Sequence, residues 1–320
     1  MNKANTDRIE QATVIIRAAG ERTEALCREL ILGQGVPEEH LFLIREAPFS
    51  KAMRTAFEIG IRQNLPWTYC VDADVLLRPG AVETMVGYAE KQPENVCEIQ
   101  GYIMDKFFGG ARIGGVHLYR TSLLPEAIQS IPEEGVNIRP ERHTLGEMKK
   151  KGYPWKTVPY IVGTHDDEQY NADIYRKAFV QAVKHTYRAE LFITLWRERA
   201  KEDQDFRVAL QGFSDSIRTD ADVYIDRTQG LYKEMFEAAG FEEKGELEPG
   251  HYTVEKIEEQ IRNWEYTEIY RKYFPTRDGL DGQIAGMKSR FRRSLKQHGI
   301  WKTVRLAAGA VLSGIGKKIQ

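Results

Sequence analysis

Residues 70–77 read CVDADVLL, an apolar run that contains two carboxylates, Asp72 and Asp74, two positions apart. Side chains at positions i and i+2 of a strand point to the same side, so in an extended run these carboxylates would converge and repel each other. A shared cation removes that repulsion, and oxygen ligands of this kind suit Mg²⁺ or Mn²⁺. The alternative is structural, with one aspartate capping the following turn and the other solvated.

The segments around this run alternate between short β-branched stretches and amphipathic stretches with helical spacing. The pattern predicts strands over 12–17, 41–45, 67–71, 96–104, 116–119 and 160–163, and helices over 23–32, 50–63, 81–91, 141–151 and 257–273. A β-α-β-α-β-α-β opening predicts an α/β fold, a Rossmann-like and mostly parallel sheet flanked by helices. Ligands bind at the carboxyl ends of such strands, which is where Asp72 and Asp74 fall. Beyond about residue 173 the pattern predicts a helical C-terminal region.

Three segments carry a resemblance to a known family. They are VIIRAAGERT at Val14–Thr23, FSKAMRTAFEIGI at Phe49–Ile61 and WTYCVDADVLLRPGAV at Trp67–Val82. Over roughly residues 12–170 the chain resembles the GT-A glycosyltransferases, in particular the family 2-like bacterial enzymes. The resemblance implies a divalent cation, Mn²⁺ or Mg²⁺, and a nucleoside-diphosphate-sugar donor.

The resemblance also implies roles for individual residues. Asp74 would bind the cation directly, while Asp72 would support the cation and the ribose of the donor. The residues that would contact the nucleotide sugar are Arg17, Ala18, Glu21, Glu46, Lys51, Arg54, Asp72, Ala73, Gly114 and Gly115. Lys51 and Arg54 have a structural alternative, a solvated helix face. The family's acidic pair after the second strand is replaced here by LIREAP, in which Glu46 would substitute.

A late metal ligand and a catalytic base are the remaining parts that the resemblance implies. His165 closes the predicted strand YIVGTH and would be the third metal ligand, although a lone histidine is often an ordinary surface or core residue. Glu141, at the start of a predicted helix, would be the base that deprotonates the acceptor. It could equally be an acidic residue favoured by the helix dipole. Asp166 and Asp167 are the competing candidates for the base.

The segment 107–115, FFGGARIGG, is rich in glycine and lies between two predicted strands. Glycines beside a ligand crevice allow the backbone to approach a sugar or phosphate closely. They equally fit a mobile lid or an ordinary loop. We therefore predict donor-sugar contact at Gly114 and Gly115, with a plain loop as the alternative.

The charge of the chain is unevenly distributed. Residues 282–320 carry nine basic side chains and no acidic one, which leaves −10 on residues 1–281 because the whole chain is −1. Apolar residues interleave with these cations, a pattern typical of a basic amphipathic helix on an anionic membrane surface. Such a helix could instead pack on the acidic body of the protein. No reading motif accompanies the charge, so we expect no nucleic-acid partner.

The three cysteines, which have no zinc-site spacing, and the polar N-terminus predict reduced thiols and a cytoplasmic location. The basic tail extends this prediction to a peripheral position on the inner face of the cytoplasmic membrane. We predict a catalytic GT-A domain over residues 1–200, a helical extension over 201–281 and a basic tail over 282–320. The predicted function is metal-dependent transfer of a hexosyl group to a hydroxyl of a glycan or lipid-linked acceptor, as in cell-envelope polysaccharide synthesis. The alternatives are a sugar nucleotidyltransferase and a non-catalytic nucleotide-binding scaffold at the membrane.

Overall fold

The first strand, β1 (Ala12–Arg17), is buried along its whole length and lies inside a sheet. In the computed structural model, which describes residues 8–137, 139–219, 223 and 231–265, β1 pairs in parallel with a strand on each side. A continuous apolar run without polar alternation is typical of a strand whose two faces are both covered by helices. The predicted α/β class is confirmed.

Eight strands form one sheet in the order β2-β1-β3-β7-β5-β8-β4, with β6 paired to β5. The strands after β1 are β2 (Leu41–Ile44), β3 (Trp67–Asp72), β4 (Val75–Leu77), β5 (Glu98–Asp105), β6 (Gly110–Arg112), β7 (Val116–Arg120) and β8 (Trp155–His165). The pairs β1–β2, β1–β3 and β5–β8 are parallel, whereas β3–β7, β5–β7, β5–β6 and β4–β8 are antiparallel. The sheet is therefore mixed, and β2, β1 and β3 form its continuous parallel part.

Helices follow or connect these strands. Their bounds are α1 (Glu24–Leu32), α2 (Phe49–Gln63), α3 (Ala81–Ala89), α4 (Leu124–Ile128), α5 (Pro140–Lys150), α6 (Asn171–Lys184), α7 (Ala189–Arg199), α8 (Gln204–Arg218), α9 (Tyr232–Ala239) and α10 (Val254–Glu265). Short 3₁₀ turns occupy Glu38–His40, Thr121–Leu123 and Thr186–Arg188. The helical character predicted beyond residue 173 is confirmed for the described residues. The predicted helix 257–273 is described only to Glu265.

Two buried clusters stabilise this arrangement. One joins β1 and β3 to α2, α4 and α5 through residues such as Met53 and Phe57. The other holds α6 to α9 together around Phe192 and Trp196, and it includes Phe107 from the turn after β5. The indole N–H of Trp196 donates to the carbonyl oxygen of Phe107 at 2.6 Å, which fixes that turn against the helices. The helical region is thereby attached beside the carboxyl end of β5.

Three strands differ from the sequence prediction, and one of them, β6, lies within the glycine-rich segment 107–115, where no strand was predicted. β8 begins at Trp155, five residues before the predicted start at Tyr160. The prediction missed these first residues because they are partly exposed and polar and show no apolar period. β4 was not predicted at all, since three residues between two turn signals are too few to show a period. The pairing of β4 with β8 sets Val75 opposite His165, and this contact assembles the site described below.

The chain divides into two units, residues 1–261 and residues 262–320, and the site lies in the first. Described residues on both sides of position 200 share the second buried cluster. The division at residue 200 and the extension over 201–281 stay predictions. The basic tail over 282–320, with its predicted membrane contact, lies outside the described residues. Within the described ranges, no helix is long and apolar enough to cross a membrane.

Candidate metal and sugar-transfer site

The segment Asp72–Val75 leaves the sheet at the end of β3 and re-enters it as β4. The amide of Ala73 donates to the carbonyl of Arg17 at 3.0 Å, and the hydroxyl of Thr23 donates to the carbonyl of Ala73 at 2.8 Å. The amide of Asp166 donates to the carbonyl of Asp74 at 3.2 Å. These bonds hold Asp74 against the end of β8.

Three side chains converge at this point, Asp74, His165 and Asp166, and all three are buried. One ligand atom from each lies within 4.8 Å of the others. The Nε2 of His165 is 3.5 Å from Oδ1 of Asp74, and its Nδ1 is 3.1 Å from Oδ2 of Asp166. Oδ1 of Asp74 is buried and accepts no hydrogen bond. A buried carboxylate oxygen with free lone pairs, beside an imidazole and a second carboxylate, fits Mn²⁺ or Mg²⁺.

Lys177, on α6, lies between the two carboxylates. Its Nζ is 2.5 Å from Oδ2 of Asp74 and also forms an ion pair with Asp166. The ammonium therefore neutralises the repulsion between the carboxylates. Lys177 could not be identified from the sequence, because one lysine in an amphipathic helix has the same local pattern whether it is solvated or paired.

These charges shift the pKa values of the three converging groups. Burial alone would raise the pKa of Asp74, but Lys177 and His165 outweigh burial and lower it. Burial would lower the pKa of His165, but Asp166 and Asp74 raise it to about 10. The imidazole is thus held protonated in the metal-free protein. Binding a cation through its nitrogen requires that proton to leave.

The orientation of the His165 ring is set from the other side by Asp105, at the end of β5. Oδ2 of Asp105 is 2.8 Å from Nδ1 of His165 and accepts from Nε of Arg112 at 2.5 Å. The second oxygen of Asp105 accepts the amides of Phe107 and Phe108, at 2.9 and 2.8 Å. Asp105 binds Nδ1 of His165, so Nε2 of the ring faces Asp74. A carboxylate that binds one ring nitrogen commonly orients a metal-binding histidine in this way. Asp105 ends a strand, and this position was the signal that could have identified it.

Asp72 belongs to a different network. Its Oδ1 accepts from Nε of Arg17 at 2.8 Å, and Nη1 of Arg17 donates to Oε1 of Glu141 at 2.6 Å. The group of residues that can hold a metal in the described part of the chain does not include Asp72. The expectation that both carboxylates converge assumed one extended strand, and β3 instead ends at Asp72 before the chain turns. A role for Asp72 in supporting the cation or the ribose stays a prediction.

Glu141 is held by three partners and is a weak base in this arrangement. Besides Arg17, the hydroxyl of Tyr119 donates to Oε1 at 3.3 Å, and Nε2 of His117 lies 3.0 Å from Oε2. Burial would raise the pKa of Glu141, but Arg17 and His117 lower it well below its usual range. A general base works best with a pKa near the working pH, so this geometry does not favour the predicted catalytic role of Glu141.

The other two candidates for the base are placed differently. Asp166 lies in the cluster with Asp74 and His165, and its pKa is lowered, since His165 and Lys177 outweigh burial. Burial raises the pKa of Asp167 to about 6, against the opposing effect of Lys106. Of the three candidates, Asp167 has the pKa that best suits proton transfer near neutrality.

The residues predicted to bind the nucleotide are distributed over several places. The carboxylate of Glu21 accepts from the amide of Ala19 at 2.6 Å, and burial, followed by the charge of Asp74, raises its pKa to about 7. Glu46 and Lys51 form an ion pair with each other at 2.5 Å. Arg54 donates to the carbonyls of Ile128 and Ile131, at 3.3 and 3.2 Å. For all of these, nucleotide contact stays a prediction.

The backbone positions predicted to contact the nucleotide or sugar lie along the same edge of the sheet. Ala18 is buried, and its amide donates to the carbonyl of Ile44 at 2.9 Å. Gly115 has φ +72°, and a Cβ there would lie 2.7 Å from Cγ2 of Val75 and 3.4 Å from the ring of His165. Gly114 precedes it with φ +136°. A glycine at 115 therefore lets β7 approach the cluster closely, while its contact with a sugar stays a prediction.

The His117 network predicts a pH-dependent stability. Burial would lower the pKa of His117, but Glu141 and Glu98 raise it to about 10. Between the usual histidine pKa near 6.5 and about 10, the folded state therefore binds the extra proton, so this contribution is complete below 6.5 and is lost as the pH rises. We expect urea denaturation to give an unfolding free energy that falls from pH 6.5 to 10, by on the order of 1 kcal/mol per pH unit.

In His117→Gln that fall should be smaller by the share of His117, with a remainder from His165, whose pKa is also raised to about 10. In His251→Gln, which changes a half-exposed histidine, the fall should match the wild type. Equal pH slopes for the wild type and His117→Gln would show that His117 is not protonated in the fold.

The chain matches no family model and no curated protein. It is similar to a solved mannosyltransferase from Pyrobaculum calidifontis in complex with GDP-Man and Mn²⁺, at 12% identity and a TM-score of 0.36, over 86% of this chain and 85% of that chain.

Two further solved structures are similar to the chain. A glycosyltransferase involved in glycosylation of the major capsid of PBCV-1 has 15% identity and a TM-score of 0.34, over 48% of this chain and 82% of that chain. A cytidylyltransferase from Leptospira borgpetersenii has 9% identity and a TM-score of 0.31, over 50% and 77%. Two of these three similar structures are glycosyltransferases. Because these TM-scores lie below 0.5, the function proposed below rests on the side chains of the site.

Proposed function

We propose that the protein is a metal-dependent glycosyltransferase that moves a hexosyl group from a nucleoside-diphosphate-sugar to a hydroxyl of a glycan or lipid-linked acceptor. The observation that carries the proposal is the convergence of Asp74, His165 and Asp166 at the end of the sheet, with one oxygen of Asp74 free to bind a ligand. Strand ends of α/β sheets are the usual place for a nucleotide and its metal.

These three residues would hold Mn²⁺ or Mg²⁺, which when bound stabilises the negative charge that grows on a departing diphosphate. Lys177 adds a positive charge directly beside two of them. Arg112 adds another, since its Nη2 is 3.3 Å from Nδ1 of His165. Cations in a buried site favour the leaving diphosphate more strongly than they would in water.

We propose Asp167, which follows Asp166 in the chain, as the base for the acceptor; in the structure its carboxylate accepts hydrogen bonds from the side chains of Tyr252, Gln260 and Thr164. The acceptor oxygen would form a bond to the anomeric carbon while the bond from that carbon to the diphosphate oxygen breaks, and the proton of the hydroxyl would pass to the Asp167 carboxylate. A carboxylate with a pKa of about 6 is ionised at neutral pH and can still accept a proton in a transition state.

A screen of nucleotides tests the proposal. The melting temperature of the full chain is measured with nucleoside diphosphates, their sugars and nucleoside triphosphates, each with Mn²⁺, Mg²⁺ or EDTA. We expect one nucleoside-diphosphate-sugar to stabilise the protein by several degrees only with the metal, and to be hydrolysed slowly. No metal-dependent stabilisation by any nucleotide would overturn the proposal.

Two other outcomes of the screen would also replace the proposed function. Preference for a nucleoside triphosphate, with diphosphate release when a sugar 1-phosphate is added, would indicate a sugar nucleotidyltransferase. Stabilisation by a nucleotide sugar without any turnover, even with acceptor extracts present, would indicate a non-catalytic scaffold.

A further inference from the structure

A group of basic side chains gathers around the ring of Phe108, next to the metal cluster. The guanidinium carbons of Arg112 and Arg188 lie 4.7 and 5.5 Å from the centre of this ring, and the ring of His185 meets it edge-on at 5.4 Å. Arg112 also contacts His165, so this group of basic side chains adjoins the metal cluster formed by Asp74, His165 and Asp166.

Two more cations join the group from the ends of α5 and α6. Nη2 of Arg139, which precedes α5, donates to the main-chain carbonyl of Lys184 at 2.6 Å. We call Arg112, Arg139, Lys184, His185 and Arg188 the basic cluster. In the part of the chain that the structure describes, Arg112 alone among them forms an ion pair with an acidic side chain, that of Asp105, while Glu141 acts on Lys184 from farther away.

The electrostatics agree with this excess of positive charge. The pKa of Lys184 falls to about 8, first through burial and then through Arg139 and Arg112. The pKa of His185 falls to about 4, again first through burial and then through Arg139 and Arg188. At pH 7 the ring of His185 is therefore neutral, and the cations of the basic cluster are Arg112, Arg139, Lys184 and Arg188. Cations held this close together repel each other, and an anionic ligand relieves that repulsion.

Apolar side chains flank the basic cluster in the sequence and are exposed. Val183 and Leu191 are each 52% exposed, and Tyr187 is 75% exposed. They alternate with Lys184 and Arg188 across the turn from α6 to α7. Exposed large apolar residues grouped beside charge mark a surface that binds something with an apolar part.

We propose that the basic cluster binds the phosphate group of an amphiphilic acceptor, whose apolar chain lies along Val183, Tyr187 and Leu191. This proposal rests on the proposed function only where it identifies the ligand as the acceptor. Arginine and lysine together suit a phosphate, since guanidinium groups donate in pairs and an ammonium adds a point charge. Arg112 belongs to the basic cluster and also contacts His165, so the bound phosphate would lie beside the reacting centre.

Direct binding measurements test the proposal without donor or metal. The full chain in EDTA is titrated by calorimetry with monododecyl phosphate below its micelle concentration, with inorganic phosphate and with dodecyl maltoside. We expect monododecyl phosphate to bind at least tenfold more tightly than either of the others. Equal binding of inorganic phosphate would mean a site for free anions such as the donor's diphosphate, and equal binding of dodecyl maltoside would mean an apolar surface only; either result overturns the proposal.

Single substitutions locate the binding. Lys184→Ala and Arg139→Ala should each weaken the binding of monododecyl phosphate at least tenfold, and Lys184→Arg should restore most of it. The matched control is Lys91→Ala, which removes an exposed lysine elsewhere on the chain and should change nothing. All variants retain residues 282–320, so unchanged binding in Lys184→Ala and Arg139→Ala would assign the ligand to another part of the chain and overturn the proposal.

The test also separates this inference from the proposed function. Asp74→Ala removes a residue of the metal cluster and none of the basic cluster, so it should bind monododecyl phosphate as the wild type does. Failure of the nucleotide screen would leave these binding results standing. Loss of phosphate binding with an intact nucleotide screen would remove the amphiphilic acceptor alone.

Discussion

Replacing Asp74 with alanine is expected to abolish metal binding and sugar transfer while the fold is retained. Asp74 provides the one buried carboxylate oxygen in the cluster that accepts no hydrogen bond, so its removal takes away the oxygen most available to a cation. Lys177 keeps Asp166 as a partner, which limits the loss of stability. Wild-type protein should gain about 2.7 kcal/mol of unfolding free energy at a Mn²⁺ concentration a hundredfold above Kd, and Asp74→Ala should gain none.

Two further variants make this test specific. Asp74→Asn keeps the shape of the side chain but removes its charge, and it should also lose the stabilisation by Mn²⁺. Asp215→Asn changes a partly buried aspartate that accepts from the hydroxyl of Tyr175 at 2.6 Å, away from the cluster, and it should keep the full stabilisation. Unaltered Mn²⁺ binding and full transfer activity in Asp74→Ala would show that the aspartate is structural.

The position of the site could be predicted from the sequence, because it depends on local signals. The apolar period of β3 and the two aspartates at its end are both readable within a dozen residues. His165 could be placed at a strand end for the same reason. Strand ends meet at one edge of the sheet, so Asp74 and His165 were expected near each other, and they are.

The partners of these residues could not be predicted, because they come from distant parts of the chain. Lys177 reaches Asp74 from 103 positions away, and Arg17 reaches Glu141 across 124 positions. Each is a single charged residue whose local pattern fits a solvated surface equally well. The divergence of Asp72 from Asp74 depends on β4, whose three residues give no period.

Asp72 and Asp74 belong to two different networks of side chains. Asp74 is one of the three residues that can hold a cation. Asp72 accepts a hydrogen bond from Arg17, which in turn donates to Glu141, and Glu141 pairs with His117. Asp72 and Arg17 also lie opposite each other in the register of β1 and β3. The buried ion pairs on the Asp72 side therefore hold the strand end from which Asp74 projects.

Replacing Arg17 with methionine is expected to lower the unfolding free energy by about 3 kcal/mol, because it takes from Asp72 its ion-pair partner and from Glu141 one of two, and both carboxylates are largely buried. The side chain of Arg17 is 3% exposed, with Nη2 2.6 Å from Asp72 and Nη1 2.6 Å from Glu141. Methionine keeps an unbranched chain of similar length against the ring of Phe49, over which the guanidinium lies at 4.9 Å. Urea denaturation at pH 7 measures the loss.

Two comparisons decide whether that loss comes from the buried charge. Arg28→Met breaks an ion pair of the same length, 2.6 Å to Glu38, but both of its side chains are exposed, so it should cost less than about 1 kcal/mol. Adding Asp72→Asn to Arg17→Met removes the carboxylate that has lost its ion pair and should recover part of the lost stability, since the two sites share one network. If Arg17→Met costs no more than Arg28→Met, or if the second substitution only adds a further loss, the carboxylates are solvated and Arg17 does not stabilise the strand end that carries Asp74.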